Sequence, residues 1–404
     1  MVLRRFLPAV VCCFLSLSAY AQQRDTLCVR GGDTLRYTYT PLSAGTPSDV
    51  QAPKRKDSFW NRIIHGNIDR TFEKKIDFSF IGAPSYTKEA SVGIGVLASG
   101  LYRIDRTDSI TPPSDVSFFG NFSLSGFYMF GVSGNTLFDH NRSRVIYEVS
   151  FASKPLDFWG IGYEAGRFNE STDYIRKQVK FDAGYLYEVW SHLYVGGSLL
   201  FSHTRGTNFD ERGESYLAGQ RLHYTSTGIG VTLQYDSRDF IPAPERGSYL
   251  MVKQVIYPKG IGNCGRTLYK TTATADYYQR LWRGAVLATD LFGEFNSSGT
   301  PWCMLAELGG GYRMRGYYQG RYIDNNIITC QIEYRQRIWR RIGCAVWGGA
   351  GNVFPSFGRF RWGQTLPNYG LGFRWEFKHR VNVRVDYGFG RKTGGLVFNI
   401  NEAF

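Results

Sequence analysis

From Lys75 onward, apolar and polar residues alternate with a period of two. In "RVNVRVDYGFG" (380–390), Val381, Val383, Val385, Tyr387 and Phe389 share one face, and Asn382, Arg384, Asp386 and Gly388 share the other. "LGFRWEF" (371–377) sets Leu371, Phe373, Trp375 and Phe377 against Gly372, Arg374 and Glu376. Successive strand side chains point to opposite faces, so this period predicts β-strands. About sixteen such segments follow one another: 76–82, 90–104, 115–130, 144–155, 158–168, 177–189, 192–205, 223–236, 247–258, 266–281, 285–296, 326–338, 341–352, 367–377, 381–390 and 395–404.

A half-buried soluble sheet alternates in the same way. Here the pattern runs almost to the last residue, Phe404, with charges on one face and large aromatics on the other. That combination predicts an all-β fold, a sixteen-stranded antiparallel transmembrane β-barrel. An open sheet edge in hydrocarbon would leave backbone groups unpaired at several kcal/mol each, so the wall has to close. An even strand number puts both barrel ends on the periplasmic side and the longer connections outside. The longest connection, roughly 297–325, contains the stretch "LGGGYRMRGYYQG" (308–320).

Composition agrees with a barrel. Aromatics reach 16%, and 47 glycines accompany only 14 prolines. No apolar run of about 18 or more residues follows the N-terminal segment, so no spanning helix is predicted. The formal charge of +14 falls to +12 without Arg4 and Arg5. A basic lumen and anionic headgroups account for that balance, and no nucleic-acid partner is expected.

The N-terminus reads as a secretory signal peptide over residues 1–21. Arg4 and Arg5 precede the apolar stretch Phe6 to Leu17, and Ala19 and Ala21 supply the A-x-A cleavage pattern. Residues 22–74 read as a short periplasmic linker. Within it, Phe59, Trp60, Ile63, Ile64, Ile68 and Phe72 fall on one face of a short basic amphipathic helix, with Ser58 as N-cap. Such a helix lies at the inner membrane surface, enters the barrel, or simply leads into the first strand. The barrel itself is assigned to residues 75–404.

Candidate chemistry is sparse. The mature cysteines Cys28, Cys264, Cys303, Cys330 and Cys344 fit no zinc spacing. Cys330 and Cys344 fall on apolar strand faces, while Cys264 and Cys303 lie in loops and are candidates for pairing. None of the six histidines accompanies a G-x-S-x-G nucleophile motif. No metal, cofactor or enzymatic activity is expected. In "NIITCQIEYRQRI", Thr329, Gln331, Glu333 and Arg335 share the lumen face, so Glu333 points inward.

Three motifs in order carry a family resemblance over roughly residues 75–404. "YDSRDFIPAPERGSYL" resembles a periplasmic turn motif, carried by Asp236, Arg238, Asp239, Pro242 and Gly247. "GGGYRMRGYYQG" resembles a Val-Arg-Gly-Tyr/Phe loop motif, with Met314 in the valine position. "QIEYRQRI" and "VWGGAGNVF" resemble the two strands that follow that loop. The chain thereby resembles the bacterial surface antigen superfamily, the BamA/TamA-type outer-membrane barrels.

The resemblance implies that the long loop folds into the lumen and that Arg315 docks on an inner-wall acid. Glu333 matches that acid, with Gly316 turning the backbone and Tyr317 packing on the wall. The family's second acid is replaced by Gly349, which makes Asp386 a possible alternative. At the C-terminus, "TGGLVFNINEAF" places Gly395, Phe398, Ile400 and Phe404 in the pattern of a barrel-assembly signal. With only about 53 residues between the expected cleavage site and the first strand, no transport-associated domain fits, and a stand-alone barrel is expected.

The implied role is insertion or translocation of proteins or lipids at the outer membrane of a Gram-negative bacterium. The implied partners are outer-membrane lipids, exported protein or lipid clients and the barrel assembly machinery. A passive solute channel and an outer-membrane hydrolase remain as alternative readings.

Overall fold

The computed structural model describes residues 75–404, apart from 88–90, 106, 108–110, 112, 139–141 and 379. The expected signal peptide and the linker with its helix lie outside the described residues.

The wall begins with β1 (Ile76–Thr87), β2 (Ser91–Tyr102), β3 (Ser114–Ser123), β4 (Tyr128–Phe138) and β5 (Ser143–Phe158). A short helix α1 (Tyr163–Phe168) leads to β6 (Thr172–Trp190) and β7 (Leu193–Thr207). After α2 (Glu211–Tyr216) come β8 (His223–Asp236), β9 (Gly247–Tyr257), β10 (Leu268–Trp282) and β11 (Ala285–Asn296). The long connection contains β12 (Ala306–Leu308) and β13 (Tyr322–Asp324). The wall resumes with β14 (Asn326–Trp339), β15 (Ile342–Phe354), β16 (Leu366–Lys378), β17 (Val381–Gly390) and β18 (Thr393–Ile400). Sixteen strands pair in chain order from β1 to β18, skipping only β12 and β13, which pair with each other. Strands β1 and β18 lie side by side, which brings the two ends of the order together.

The wall is inverted relative to a water-soluble protein. On β8, Ile229, Val231 and Leu233 are 58%, 62% and 50% exposed, whereas Thr232 and Gln234, on the opposite face, are buried. On β14, Cys330 and Ile332 face outward while Thr329, Gln331, Glu333 and Arg335 are buried. Apolar side chains on the outside gain their environment from hydrocarbon, and polar ones line the interior. No helix among the described residues is long and apolar enough to cross a membrane.

Two boundary errors in the sequence reading cancel in the strand count. The segment 115–130 is two strands, β3 and β4, joined by a turn at 124–127. Conversely, 144–155 and most of 158–168 do not form two strands. The first lies in β5, and after Phe158 the chain turns through Gly160 and Gly162, both at positive φ, into α1. Strand β1 also continues past the expected stop, with Pro84 paired to Ile94. Its missing donor is tolerated in the strand that begins the sheet order. At the other end β18 stops at Ile400, so Phe404 is not part of the last strand. Asn401 adopts φ 66°, and the chain then turns inward, burying Glu402 and Ala403.

The longer connections fall mainly at one end of the barrel, which carries 159–171, 208–222, 258–267, 297–325 and 355–365 together with the short turns 124–127 and 391–392. The other end carries the tight turns 191–192, 283–284 and 340–341, together with the longer connection 237–246.

Candidate functional site: the lumen loop and its arginines

The connection 297–325 fills the lumen beside β14–β17. Ala306, Leu308, Met314, Tyr317 and Tyr322 from this loop form one buried cluster with Tyr163, Ile327, Val353 and Leu366. This side of the interior is therefore packed, not wet.

Arg315 reaches the wall fully buried. Its Nη2 donates to Glu333 Oε2 at 2.6 Å, and its Nη1 donates to Asp386 Oδ2 at 2.7 Å. The guanidinium lies 3.5 Å from the centroid of the Trp347 ring. Strand register explains why these groups converge. Glu333 pairs with Trp347 across β14–β15, Trp347 with Gly370 across β15–β16, and Gly372 with Asp386 across β16–β17. Four neighbouring strands thus present one inner patch. Strand β16 leaves space at Gly370, where a Cβ would sit 2.3 Å from the Trp347 ring, and its Asn368 donates to the Arg315 carbonyl at 2.5 Å.

The loop backbone docks just as closely. Gly316 has φ 96°, and a Cβ on it would lie 2.2 Å from the Gly388 carbonyl oxygen. A Cβ on Gly388 would lie 2.0 Å from the Arg315 carbonyl oxygen. Glycine is required on both sides of this contact, by conformation and by space. Met314, at φ 51°, bears the other strained angle of the turn. Tyr317 donates its hydroxyl to the Pro367 carbonyl at 2.8 Å and accepts from the Arg391 N–H at 2.7 Å.

The two carboxylates are surrounded by further guanidiniums. Glu333 Oε1 accepts from Arg335 at 2.7 Å, and Arg374 stands 3.5 Å away. Asp386 accepts from Arg384 at 2.7 Å and also from Arg374. Arg384 donates in addition to the Gly311 carbonyl of the loop, at 2.6 Å. Desolvated carboxylates survive only when paired and hydrogen-bonded, which each of these is, several times over.

Two further ties hold the loop. Arg313 grips Asp290 of β11 through Nε and Nη2 at 2.6–3.0 Å, and Arg176 of β6 meets Glu307 of β12 at 2.7 Å. Sequence reading had singled out Arg315, Glu333 and Asp386, treating Asp386 as a substitute acid. The structure brings all three together at once. Arg313, Asp290, Trp347, Arg384 and Asn368, whose side-chain oxygen accepts from the Trp347 indole N–H at 3.0 Å, are not singled out by the sequence. Their only signal was inward strand parity, which many residues share. Gly349 lies beside Gln331 and contributes no side chain.

The turn-motif residues sit elsewhere, at the short-turn end. Asp236 accepts from Arg144 at 2.7 Å and from Arg238 at 2.9 Å. Asp239 accepts from the Glu245 N–H at 3.0 Å, which folds the 237–246 connection back on itself. Its other oxygen accepts from Arg380 at 2.7 Å. The Pro242 carbonyl accepts from the Glu402 N–H at 3.1 Å, and Gly247 leaves the turn at φ 105°. The connection therefore forms a strap across this mouth.

Of the expected C-terminal signal, Gly395 is buried inward, and Phe398 and Ile400 stand on the opposite face of β18. Phe404 instead turns in, its carbonyl accepting from Arg335 at 2.8 Å. Cys264 and Cys303 are free thiols, not a disulfide. Among the described residues no cluster of histidine, cysteine or acids has a metal-binding arrangement.

An inverted sixteen-stranded wall with its own longest loop packed into the lumen defines a transmembrane β-barrel with an internal plug. The chain belongs to the Omp85 superfamily, whose domain model matches residues 112–404. Comparison with curated protein sequences gave no match. Among solved structures, the chain is similar to BamA from Haemophilus ducreyi lacking POTRA domains 1–3, with TM-score 0.51 and 12% identity over 82% of this chain and 76% of that one. It is similar to CdiB from Acinetobacter baumannii with TM-score 0.53 and 12% identity, over 81% of this chain and 60% of that one. It is similar to CdiB from Escherichia coli with TM-score 0.54 and 11% identity, over 81% and 63%. The chain thus spans less than two thirds of either CdiB chain. At these identities the likeness concerns the fold.

Proposed function

We propose that this barrel takes part in inserting or translocating protein or lipid clients at the outer membrane, with Arg315 locking the 297–325 loop in the lumen. In this reading, residues 1–21 are an export signal and 22–74 lie on the periplasmic side. Outer-membrane lipids are the immediate partners, and exported clients and the barrel assembly machinery the transient ones. The carrying observation is the fully buried Arg315 bridging Glu333 and Asp386. A passive pore gains nothing from a plug tied to its wall by several guanidiniums, each of which costs desolvation. A barrel that must stay sealed except when engaged does gain from one.

The test uses proteoliposomes carrying the full chain. A urea-unfolded outer-membrane barrel polypeptide is added, and its folding is followed by heat-modifiable migration. Faster folding than in empty liposomes is expected, together with low conductance in planar bilayers. A wild type that conducts like an open porin and leaves folding unchanged would establish the channel reading instead.

A further inference from the structure

The cleft beneath the strap at the short-turn end shares Arg335 and Arg374 with the lock cluster and gathers further arginines on its open side. Its volume is about 80 Å³, and its lining includes Arg335, Arg337, Arg341, Arg374 and Arg380. Glu245, Glu376 and Glu402 are the acids on the same lining. Acids outside the lining meet the same arginines: Glu333 accepts from Arg335, Asp386 from Arg374 and Asp239 from Arg380.

The acids are already engaged. Glu402 is held by Arg374 at 2.9 Å, and Glu245 by Arg337 at 3.4 Å and Arg280 at 3.5 Å. Glu376 accepts from the Arg380 N–H at 3.0 Å. Donors remain on the arginine side. Arg335 is only 7% exposed, and its Nη1 has no hydrogen-bond partner among the described residues. The same holds for Nε of Arg380. A buried guanidinium hydrogen left without an acceptor is costly, and native proteins rarely retain several in one place. At the rim, Arg337 leaves about half of its side chain exposed, open to an incoming group (49%).

We propose that this cleft is an anion site that takes a phosphate group. The unpartnered donors of Arg335 and Arg380 and the half-exposed Arg337 are what an incoming anion would satisfy. Tetrahedral phosphate offers oxygens in several directions, so it can meet several guanidinium forks at once. The site sits at a barrel mouth, where phosphate arrives either as a phospholipid headgroup or as the free ion.

The experiment titrates the purified full chain in non-ionic detergent by calorimetry. The probes are sodium phosphate, dihexanoyl-phosphatidylglycerol and, as the phosphate-free control, dihexanoylglycerol. Saturable binding of the lipid but not of sodium phosphate assigns the site to a headgroup. Binding of both assigns it to phosphate itself. In either case Arg337→Ser/Arg341→Ser weakens binding by about ten-fold or more, the loss expected for charge-assisted hydrogen bonds. Heat-modifiable migration reports whether that variant retains the barrel. If it does not, Arg337→Ser alone serves, because its side chain is largely at the rim. The proposal is overturned if neither phosphate probe binds, if dihexanoylglycerol binds as well as its phosphatidyl counterpart, or if the folded variants bind like the wild type.

Discussion

At the long-loop mouth, Trp302 is wedged among Phe158, Tyr174 and Phe209, with ring centroids 5.6–6.2 Å apart. It is 1% exposed, and its indole N–H donates to the Arg221 carbonyl at 3.0 Å. At the short-turn mouth, the strap is held instead by Asp239 on Arg380 and Glu245 on Arg337, with Phe240 beneath the Arg380 guanidinium at 4.9 Å. One mouth is shut by aromatic packing and the other largely by ion pairs. Packing is insensitive to salt, while exposed ion pairs are weak and screened. The two closures should therefore fail under different conditions. The buried Arg315 cluster between them combines ionic chemistry with the dryness of a core.

The largest expected effect is at that cluster. Arg315→Ala leaves Glu333 and Asp386 short of a partner, and Glu333→Gln leaves guanidiniums uncompensated, each at about 3–5 kcal/mol. The loss should appear as protease cleavage within 297–325, since the wall keeps its own ladder. A double-mutant cycle should give strong coupling, and additive single effects would refute the pairing. Arg315→Lys should rescue only in part, because ammonium cannot bridge two acids with a planar fork.

Trp302→Ala should cost a comparable or slightly smaller amount, about 3–5 kcal/mol for a buried tryptophan. It should open the same loop to protease equally at low and high salt. Salt-dependent release in this variant would break the contrast between the two mouths.

A smaller effect should come from pH. Asp324 of β13 is buried, and burial pushes its carboxyl up to about 6, against the pull of the Asn325 N–H. A carboxyl raised in the docked loop binds a proton more readily there than when released. Its contribution is therefore full below the ordinary aspartate range and is lost as pH rises through about 6. Proteolysis of the loop should be slower at pH 5 than at pH 7.5, and Asp324→Asn should flatten that difference.

The smallest effect is expected at the strap. Asp239→Asn should cost at most about 1 kcal/mol, as exposed pairs do. Cleavage within 237–246 should rise in this variant at low salt. At about 1 M salt, where screening acts over roughly 3 Å, wild type and variant should converge. A strap in the wild type that ignores salt would mean that the Phe240 contact, not the ion pairs, holds it.

The sequence by itself determined the wall. Period-two alternation depends only on each residue and its neighbours, so strand type, most strand positions and the inward direction of Glu333, Arg374, Arg384 and Asp386 were legible. Motif order added the long loop and marked Arg315 within it. Boundaries at turns were less legible, because Gly126 and Gly160 lie in stretches whose side chains still alternate. What only the tertiary structure decided was which inward residues meet. Inward parity is shared by every second residue of sixteen strands, and a partner is selected by register across strands far apart in sequence. Asp386 lies 71 residues from Arg315, and the two meet because β14–β17 are aligned so that Glu333, Trp347 and Asp386 surround one space that Gly370 and Gly372 leave open. The strap across the short-turn mouth is of the same kind. Asp239 and Arg380 are 141 residues apart, and curling the sheet into a barrel is what brings them within 2.7 Å.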